Sequence, residues 1–330
     1  MTRPPRVRPA VLLALLLGCR YAHTPAPAFE RLAGPTTWCR FENESRSALR
    51  LRAGEERAWH VRLEPGTRLV FALGFPESAP GFVHLEVEAG GRPAFVATFS
   101  AQRSGHWFHR QATLDVSGDV DLLFRTRHAT TGGKPLAGDR KTAPWIALTL
   151  PRLYRPQRRP GRVLLWISQD TVRADHLGTY GYARPTSPRF DGLARASVLF
   201  EQASASSSWT LPSLASQFTA RHPSYHGAVL HNLMPDARAP RLFELLAQAG
   251  FTVLGVTGND LVSPAQGTAN GLDALWFDEG RAARLNERLL TALDEWGGGD
   301  LALFVHYMDP HATYAPPPPF NRAFGAPLDP

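Results

Sequence analysis

Two residues, Asp170 and Thr210, have the type and setting to do chemistry. Asp170 follows the apolar run Val163-Leu164-Leu165-Trp166-Ile167-Ser168-Gln169. A carboxylate just beyond a buried strand can ligate a metal, or it can cap the helix that comes next. Thr210 lies in Ser208-Trp209-Thr210-Leu211-Pro212-Ser213-Leu214-Ala215-Ser216. Pro212 falls in the first turn of a predicted helix, where a missing N–H costs nothing. That makes Thr210 the expected N-cap, its hydroxyl beside free backbone N–H groups and the positive end of the helix dipole, a setting that favours an anion in transfer. A threonine hydroxyl is too weakly acidic to attack unaided. A metal would have to hold it in an alkoxide-like state, and Asp170 could supply part of that metal site. The plainer alternative is that both residues only cap helices.

The elements that must position them read as two kinds of structure. From Arg162 the apolar pattern alternates between strand and helix. Residues 162–168 form a continuous apolar strand, and 241–249 place Leu242, Leu245, Leu246 and Ala249 on one helical face ended by Gly250. Residues 252–256 are again a buried strand. Ala282, Leu285, Leu289, Leu293 and Trp296 make a second helical stripe, stopped by Gly297-Gly298-Gly299 before a strand over 301–307. This alternation predicts an α/β fold with a mostly parallel sheet flanked by helices. Ligands of such a sheet gather beyond the carboxyl ends of its strands.

Ahead of it, from Trp38 to about Leu150, short alternating segments (68–73, 83–87, 94–99, 113–116, 121–124 and 145–150) are separated by Gly, Pro and Ser clusters. That texture predicts a β-sandwich. Trp59, Trp107 and His109 could line a sugar-binding face there, or pack as ordinary core groups. The expected order is a signal peptide at 1–18, a Pro- and Ala-rich tether at 19–35, the sandwich at 36–150, a basic linker at 151–161 and the α/β domain at 162–330.

Several blocks resemble the bacterial sulfatase-like family of the alkaline phosphatase superfamily. They are Ile167-Ser168-Gln169-Asp170-Thr171-Val172-Arg173-Ala174-Asp175-His176-Leu177-Gly178-Thr179-Tyr180-Gly181-Tyr182, Pro185-Thr186-Ser187-Pro188, Trp209-Thr210-Leu211-Pro212-Ser213 and Pro223-Ser224-Tyr225-His226-Gly227. Phe304-Val305-His306-Tyr307-Met308-Asp309-Pro310-His311, with Tyr314 and Pro316, adds another in the same order. The resemblance implies that Asp170 is a metal ligand, that Thr210 occupies the nucleophile position and also ligates the metal, and that His311 contacts the substrate's anionic group. One divalent ion (Mn, Mg, Ca or Zn) is the implied cofactor, and a phosphate or sulfate ester the implied substrate. His306 reads as a core or supporting group within its strand, Asp309 as orienting a ligand or turning the chain, and Asp175, His176 and His226 as structural.

The sequence departs from the family in ways that matter chemically. Sulfatases proper use Cys or Ser in a Cys/Ser-x-Pro-x-Arg motif, oxidised to formylglycine; Thr210 cannot give that aldehyde, and the Arg position is Leu214. The strand end Thr257-Gly258-Asn259-Asp260 lacks the lysine of the family's Gly-Lys-Trp-His segment. A threonine nucleophile resembles the phosphoryl-transfer branch, which includes lipoteichoic acid synthases, phosphoethanolamine transferases and phosphodiesterases. The family's late Ser-Asp-His-Gly segment finds no counterpart before Pro330, so the domain is expected to be truncated at its C-terminus and its site incomplete. A fragment, a frameshifted product and a noncatalytic remnant all fit that expectation.

The ends and the charge set the context. Arg3, Arg6 and Arg8 precede an apolar run from Ala10 to Leu17 that is too short to span a bilayer, and Leu16-Leu17-Gly18-Cys19 resembles a bacterial lipobox. The expectation is a lipoprotein anchored to the membrane through Cys19, in the bacterial cell envelope, periplasmic or surface-facing. Lipidation of Cys19 leaves Cys39 without a disulfide partner, so burial must hold the fold. Loss of 1–18 lowers the formal charge from +7 to +4, too little to argue for nucleic acid. Two functions follow. One is a metal-dependent hydrolase or transferase of phosphate or sulfate esters; the other is a noncatalytic glycan-binding lipoprotein with a vestigial sulfatase-like half.

Overall fold

The computed structural model describes residues 29–136, 143–156, 161–231, 233–296 and 298–324. The expected signal peptide and Cys19 lie outside the described residues. The first half is made of β1 (Phe29–Arg31), β2 (Thr37–Phe41), β3 (Glu44–Arg52), β4 (Glu56–Leu63), β5 (Thr67–Gly74), β6 (Phe82–Ala89), β7 (Arg92–Ser100), β8 (Trp107–Leu114), β9 (Gly118–Ala129), β10 (Trp145–Thr149) and β11 (Arg152–Tyr154). Period-two alternation forms these strands: in β6, Val83, Leu85 and Val87 are buried while His84, Glu86 and Glu88 face outward. Strands β4-β9-β6-β7 make an antiparallel sheet packed on a second sheet that contains β5 and β10. Between them Phe71 packs edge-on against both Phe124 and Phe95, with ring centroids 5.2 and 5.4 Å apart. Each such buried ring contributes about 2–3 kcal/mol by leaving water. Trp107 belongs to the interior, 9% exposed, with its ring tilted against Phe41 at a centroid distance of 4.5 Å. Trp59 donates its indole N–H to the Ala33 carbonyl at 2.7 Å and packs on Phe124.

The second half comprises β12 (Val163–Gln169), α1 (Pro188–Arg195), α2 (Thr210–Thr219), α3 (Pro223–His226), α4 (Leu242–Gln248), β13 (Thr252–Thr257), β14 (Ala274–Phe277), α5 (Ala282–Glu295) and β15 (Leu301–Tyr307). Four of its strands run parallel in the order β14-β13-β15-β12. Val253 and Phe304 face one way, against Phe218 of α2 and Phe243 of α4. Val256, Leu303 and Val305 face the other way, against Leu285 and Ala292 of α5. Burial on both faces explains the continuous apolar runs of β13 and β15.

Two elements differ from expectation. Helix α4 docks through Phe243, whose ring lies 4.7 Å from Phe218 and 5.7 Å from Phe304, and Leu245 is left 51% exposed. In a helix of seven residues the aromatic cluster outweighs the leucine spacing. Strand β12 is an edge strand, pairing among the described residues with β15 alone, and Val163, Leu165 and Ile167, which share one of its faces, are 60%, 53% and 54% exposed.

The two halves share one 11-stranded sheet. β3 uses one edge twice: Ala48–Arg52 pairs with β10, and Glu44–Arg46 pairs antiparallel with β14. Arg46 sits at this seam 2% exposed, ion-paired with Glu44 and stacked over Trp276 at 5.2 Å. The short strands β1 and β11, in stretches expected as tether and linker, extend the same sheet by pairing with each other and, through β11, with β5. β11 is held there by the buried Leu153 and by Tyr154, whose hydroxyl lies 3.0 Å from Thr252 Oγ1.

Candidate active site

The carboxyl ends of β12, β13 and β15 converge on Asp170. Its backbone N–H continues the ladder by donating to the Tyr307 carbonyl at 2.9 Å. The next residue, Thr171, holds a left-handed backbone (φ 54°), a costly conformation for a β-branched side chain. Its hydroxyl donates to the Pro310 carbonyl at 2.9 Å, tying the loop after β12 to the loop after β15.

Thr210 opens α2, with Trp209 rather than Thr210 at the cap position. Its hydroxyl accepts no helix N–H among the described residues, and donates to Asp170 Oδ2 at 2.8 Å. The same oxygen faces His306 Nε2 at 3.3 Å and the Asn259 amide at 3.4 Å. His306 is 1% exposed, and its Nδ1 lies 3.0 Å from Ser168 Oγ. A carboxylate can only accept, so Nε2 carries a proton and donates to Asp170, while Ser168 Oγ pairs with Nδ1. The result is a chain running Ser168, His306, Asp170, Thr210. Burial works to raise the Asp170 pKa, but the hydrogen bonds from His306 and Thr210 and the charges of His306 and His311 bring it below the ordinary carboxylate value.

His311 lies within electrostatic reach of Asp170. Its Nδ1 donates to the Ala312 carbonyl at 2.7 Å, which leaves Nε2 without a partner among the described residues. Asp309 accepts the Ala282 N–H at 3.0 Å and so caps α5. Asp175 pairs with Arg173 and His176 on the surface, and its pKa falls well below the usual carboxylate range through those hydrogen bonds. His226 is fully buried beneath α2, accepting the Ala228 N–H at Nδ1 and facing Ser216 Oγ and the Pro212 carbonyl with Nε2.

The sequence reading did not assign Asn259 a role and treated His306 as a supporting core group. The rule that ligands gather at strand ends would have flagged Asn259, two residues beyond β13. The proposed oxygens fit a hard divalent cation in part. Asp170 Oδ2 and Thr210 Oγ1 stand 2.8 Å apart, and Asp170 Oδ1 has no partner among the described residues. Adjacent oxygens around an ion of magnesium size are about 2.9 Å apart. No group of three His, Cys, Asp or Glu side chains is placed to hold a metal among the described residues, so this pair supplies only part of a shell.

No curated protein matches the chain. Among solved structures it is similar to the zinc-bound C-terminal periplasmic domain of EcEptC from Escherichia coli, at 17% identity and TM-score 0.38 over 47% of this chain and 46% of that one. It is also similar to the phosphonate monoester hydrolase of Agrobacterium radiobacter, at 22% identity and TM-score 0.43 over 50% of this chain and 44% of that one. A third is the lipooligosaccharide phosphoethanolamine transferase EptA from Neisseria meningitidis, at 19% identity and TM-score 0.38 over 48% and 30%. The chain spans less than half the length of each. The Sulfatase family profile matches residues 162–328, which is 167 of the 330 residues and takes in Asp170, Thr210, His306 and His311. By that match the chain belongs to the sulfatase family.

Proposed function

We propose that the α/β half serves the hydrolysis or transfer of phosphate or sulfate esters, with Thr210 as nucleophile, and that phosphoryl-type transfer is its favoured chemistry. The observation that carries this reading is the 2.8 Å hydrogen bond from the Thr210 hydroxyl to Asp170 at the carboxyl ends of parallel strands. Asp170 and Thr210 would hold a divalent cation, which when bound supplies positive charge that lowers the hydroxyl's pKa.

The other side chains have defined tasks in this reading. His306, fixed by Ser168, holds Asp170 in place and keeps it ionised. Asn259 steadies the same oxygen. The N-terminus of α2 favours negative charge at Thr210, and the free Nε2 of His311 contacts an ester oxygen. Thr210 Oγ bonds to phosphorus or sulfur, and the ester oxygen departs as an alcohol carrying the proton that Thr210 loses. Water or an acceptor alcohol then takes the group and returns a proton to Thr210. A formylglycine route is disfavoured because oxidising threonine gives a ketone.

We further propose that the expected lipobox at Cys19 anchors the protein in the bacterial envelope, and that residues 36–150 and 162–330 act as its two domains. The test of the activity is turnover of bis(p-nitrophenyl) phosphate, p-nitrophenyl phosphate and p-nitrophenyl sulfate with Mn, Mg, Ca or Zn salts. Metal-dependent release of nitrophenol, lost in Thr210→Ala, is expected. Absence of both turnover and metal binding would overturn the reading.

A further inference from the structure

A cavity of about 280 Å³ lies at the seam between the halves, lined among others by Thr36, Arg46, Arg152, Glu244, Asn270 and Asp273. It is separate from the candidate active site. Asp273 accepts the N–H of Val253 at the start of β13 at 2.8 Å, whereas Asn259 follows the end of that strand. The six residues of β13 put about 20 Å between them.

Arg152 sets this cavity apart. It is 7% exposed, yet its guanidinium makes no hydrogen bond, ion pair or ring contact among the described residues. The buried side-chain nitrogen and oxygen atoms that lack a partner among those residues are Trp296 Nε1 and Asn321 Oδ1. The Arg152 nitrogens are therefore still reached by solvent, and for a side chain this buried the solvent is that of the cavity. An arginine withdrawn from bulk water without a counter-charge is unfavourable unless something completes it.

The surrounding groups are largely spent. Arg46 is paired with Glu44, Asp273 Oδ2 is taken by Val253, and Glu244 leans toward Arg241 at 3.9 Å from a position 44% exposed. Two neutral donors remain. The Asn270 amide has no partner among the described residues, and the Thr36 hydroxyl accepts from Ser47 at 2.7 Å, leaving its own proton free.

We propose that this cavity binds a tetrahedral oxyanion, phosphate or sulfate, either free or as the ester group of a small polar molecule. Arg152 grips it through its planar fork, with Asn270 and Thr36 as secondary donors. The ligand bridges strands of the first half (Thr36 before β2, Arg152 in β11) and the loop before β14, so it steadies the seam.

The test is calorimetric titration and thermal unfolding of the full chain with inorganic phosphate, inorganic sulfate and glucose 6-phosphate, against sodium chloride at equal ionic strength. Saturable binding with a raised melting temperature is expected for at least one of them. A preference of more than about tenfold for glucose 6-phosphate identifies the ester as the ligand form, and the reverse identifies the free ion. Arg152→Gln is expected to weaken binding by about tenfold or more. Glu244→Gln, an exposed helix change that removes a nearby negative charge, is expected to tighten it by about threefold. Asn270→Asp should weaken it, which keeps the test decisive if Arg152→Gln does not fold. Thr210→Ala should leave binding unchanged, which separates this site from the active site. The proposal fails if wild type binds none of the three ligands, or if neither Glu244→Gln nor Asn270→Asp alters the binding.

Discussion

Thr210 donates its hydroxyl proton to Oδ2 of Asp170 across 2.8 Å, although 40 residues separate them in the chain. The direction of that bond matters. An acceptor-only carboxylate held below its ordinary pKa takes the hydroxyl proton's hydrogen bond and leaves the lone pairs of Thr210 Oγ1 unengaged by Asp170.

Removing that oxygen separates chemistry from folding. Thr210→Ala should lower kcat by about a thousandfold or more, as loss of a nucleophile does, while costing about 1 kcal/mol of stability for one half-buried hydrogen bond. Steady-state kinetics beside urea unfolding of the same samples checks both. A kcat within tenfold of wild type would remove Thr210 from its proposed role.

Acid should act through Asp170. Its folded pKa lies below its unfolded value of about 3.9, so it adds stability above that pH and loses it as pH falls through the folded pKa. Asp170→Asn lacks this contribution at every pH. The stability gap between wild type and variant should therefore shrink below about pH 4, as read from urea midpoints taken between roughly pH 2.5 and 6.

His226 should produce a second and milder acid effect. Burial lowers its pKa below the ordinary value, and its Nδ1 is already occupied by the Ala228 N–H. A neutral buried imidazole contributes stability above about pH 6.5 that is lost as pH falls through the lower folded value. The melting temperature of wild type should decline below about pH 6.5, and His226→Gln should flatten that slope while lowering the plateau. An unchanged slope would place the titrating group elsewhere.

The seam should make unfolding cooperative. Ser45 lies opposite Leu275 in the β3–β14 ladder and opposite Arg40 in β2. Ser45→Pro removes an N–H from an interior strand, at a cost of about 3 kcal/mol. Calorimetry should show one transition moved to lower temperature. Loss of the second half alone would mean that the halves unfold separately.

Part of this was legible in the sequence. Short alternating segments located β5, β6, β7, β9 and β10; β6 and β9 bury every second residue and report it directly, whereas β5 and β10 are buried almost throughout. Apolar runs located β12, β13 and β15, but a run of Val, Leu and Ile reads the same whether both faces are covered, as in β13, or one face lies open and the other is only partly covered, as in β12. The carboxylate and hydroxyl of the site were legible because each sits at a punctuated end of an element. His306 was obscured, since inside an apolar strand an imidazole looks like any buried group until its neighbours are known. The seam was not legible at all. Pairing of Arg46 with Ala274 is a long-range choice that neither segment encodes locally.

That pairing bears on the order in which the protein is made. β3 emerges from the ribosome about 230 residues before β14, and at about 5–20 residues per second it waits roughly ten to fifty seconds for that partner. Through this interval the backbone of Glu44–Arg46 has no strand on one side, and the Arg46 guanidinium has no Trp276 beneath it. The first half is synthesised early but completed late, which makes its yield sensitive to the speed of translation and to whatever shields a nascent sheet edge.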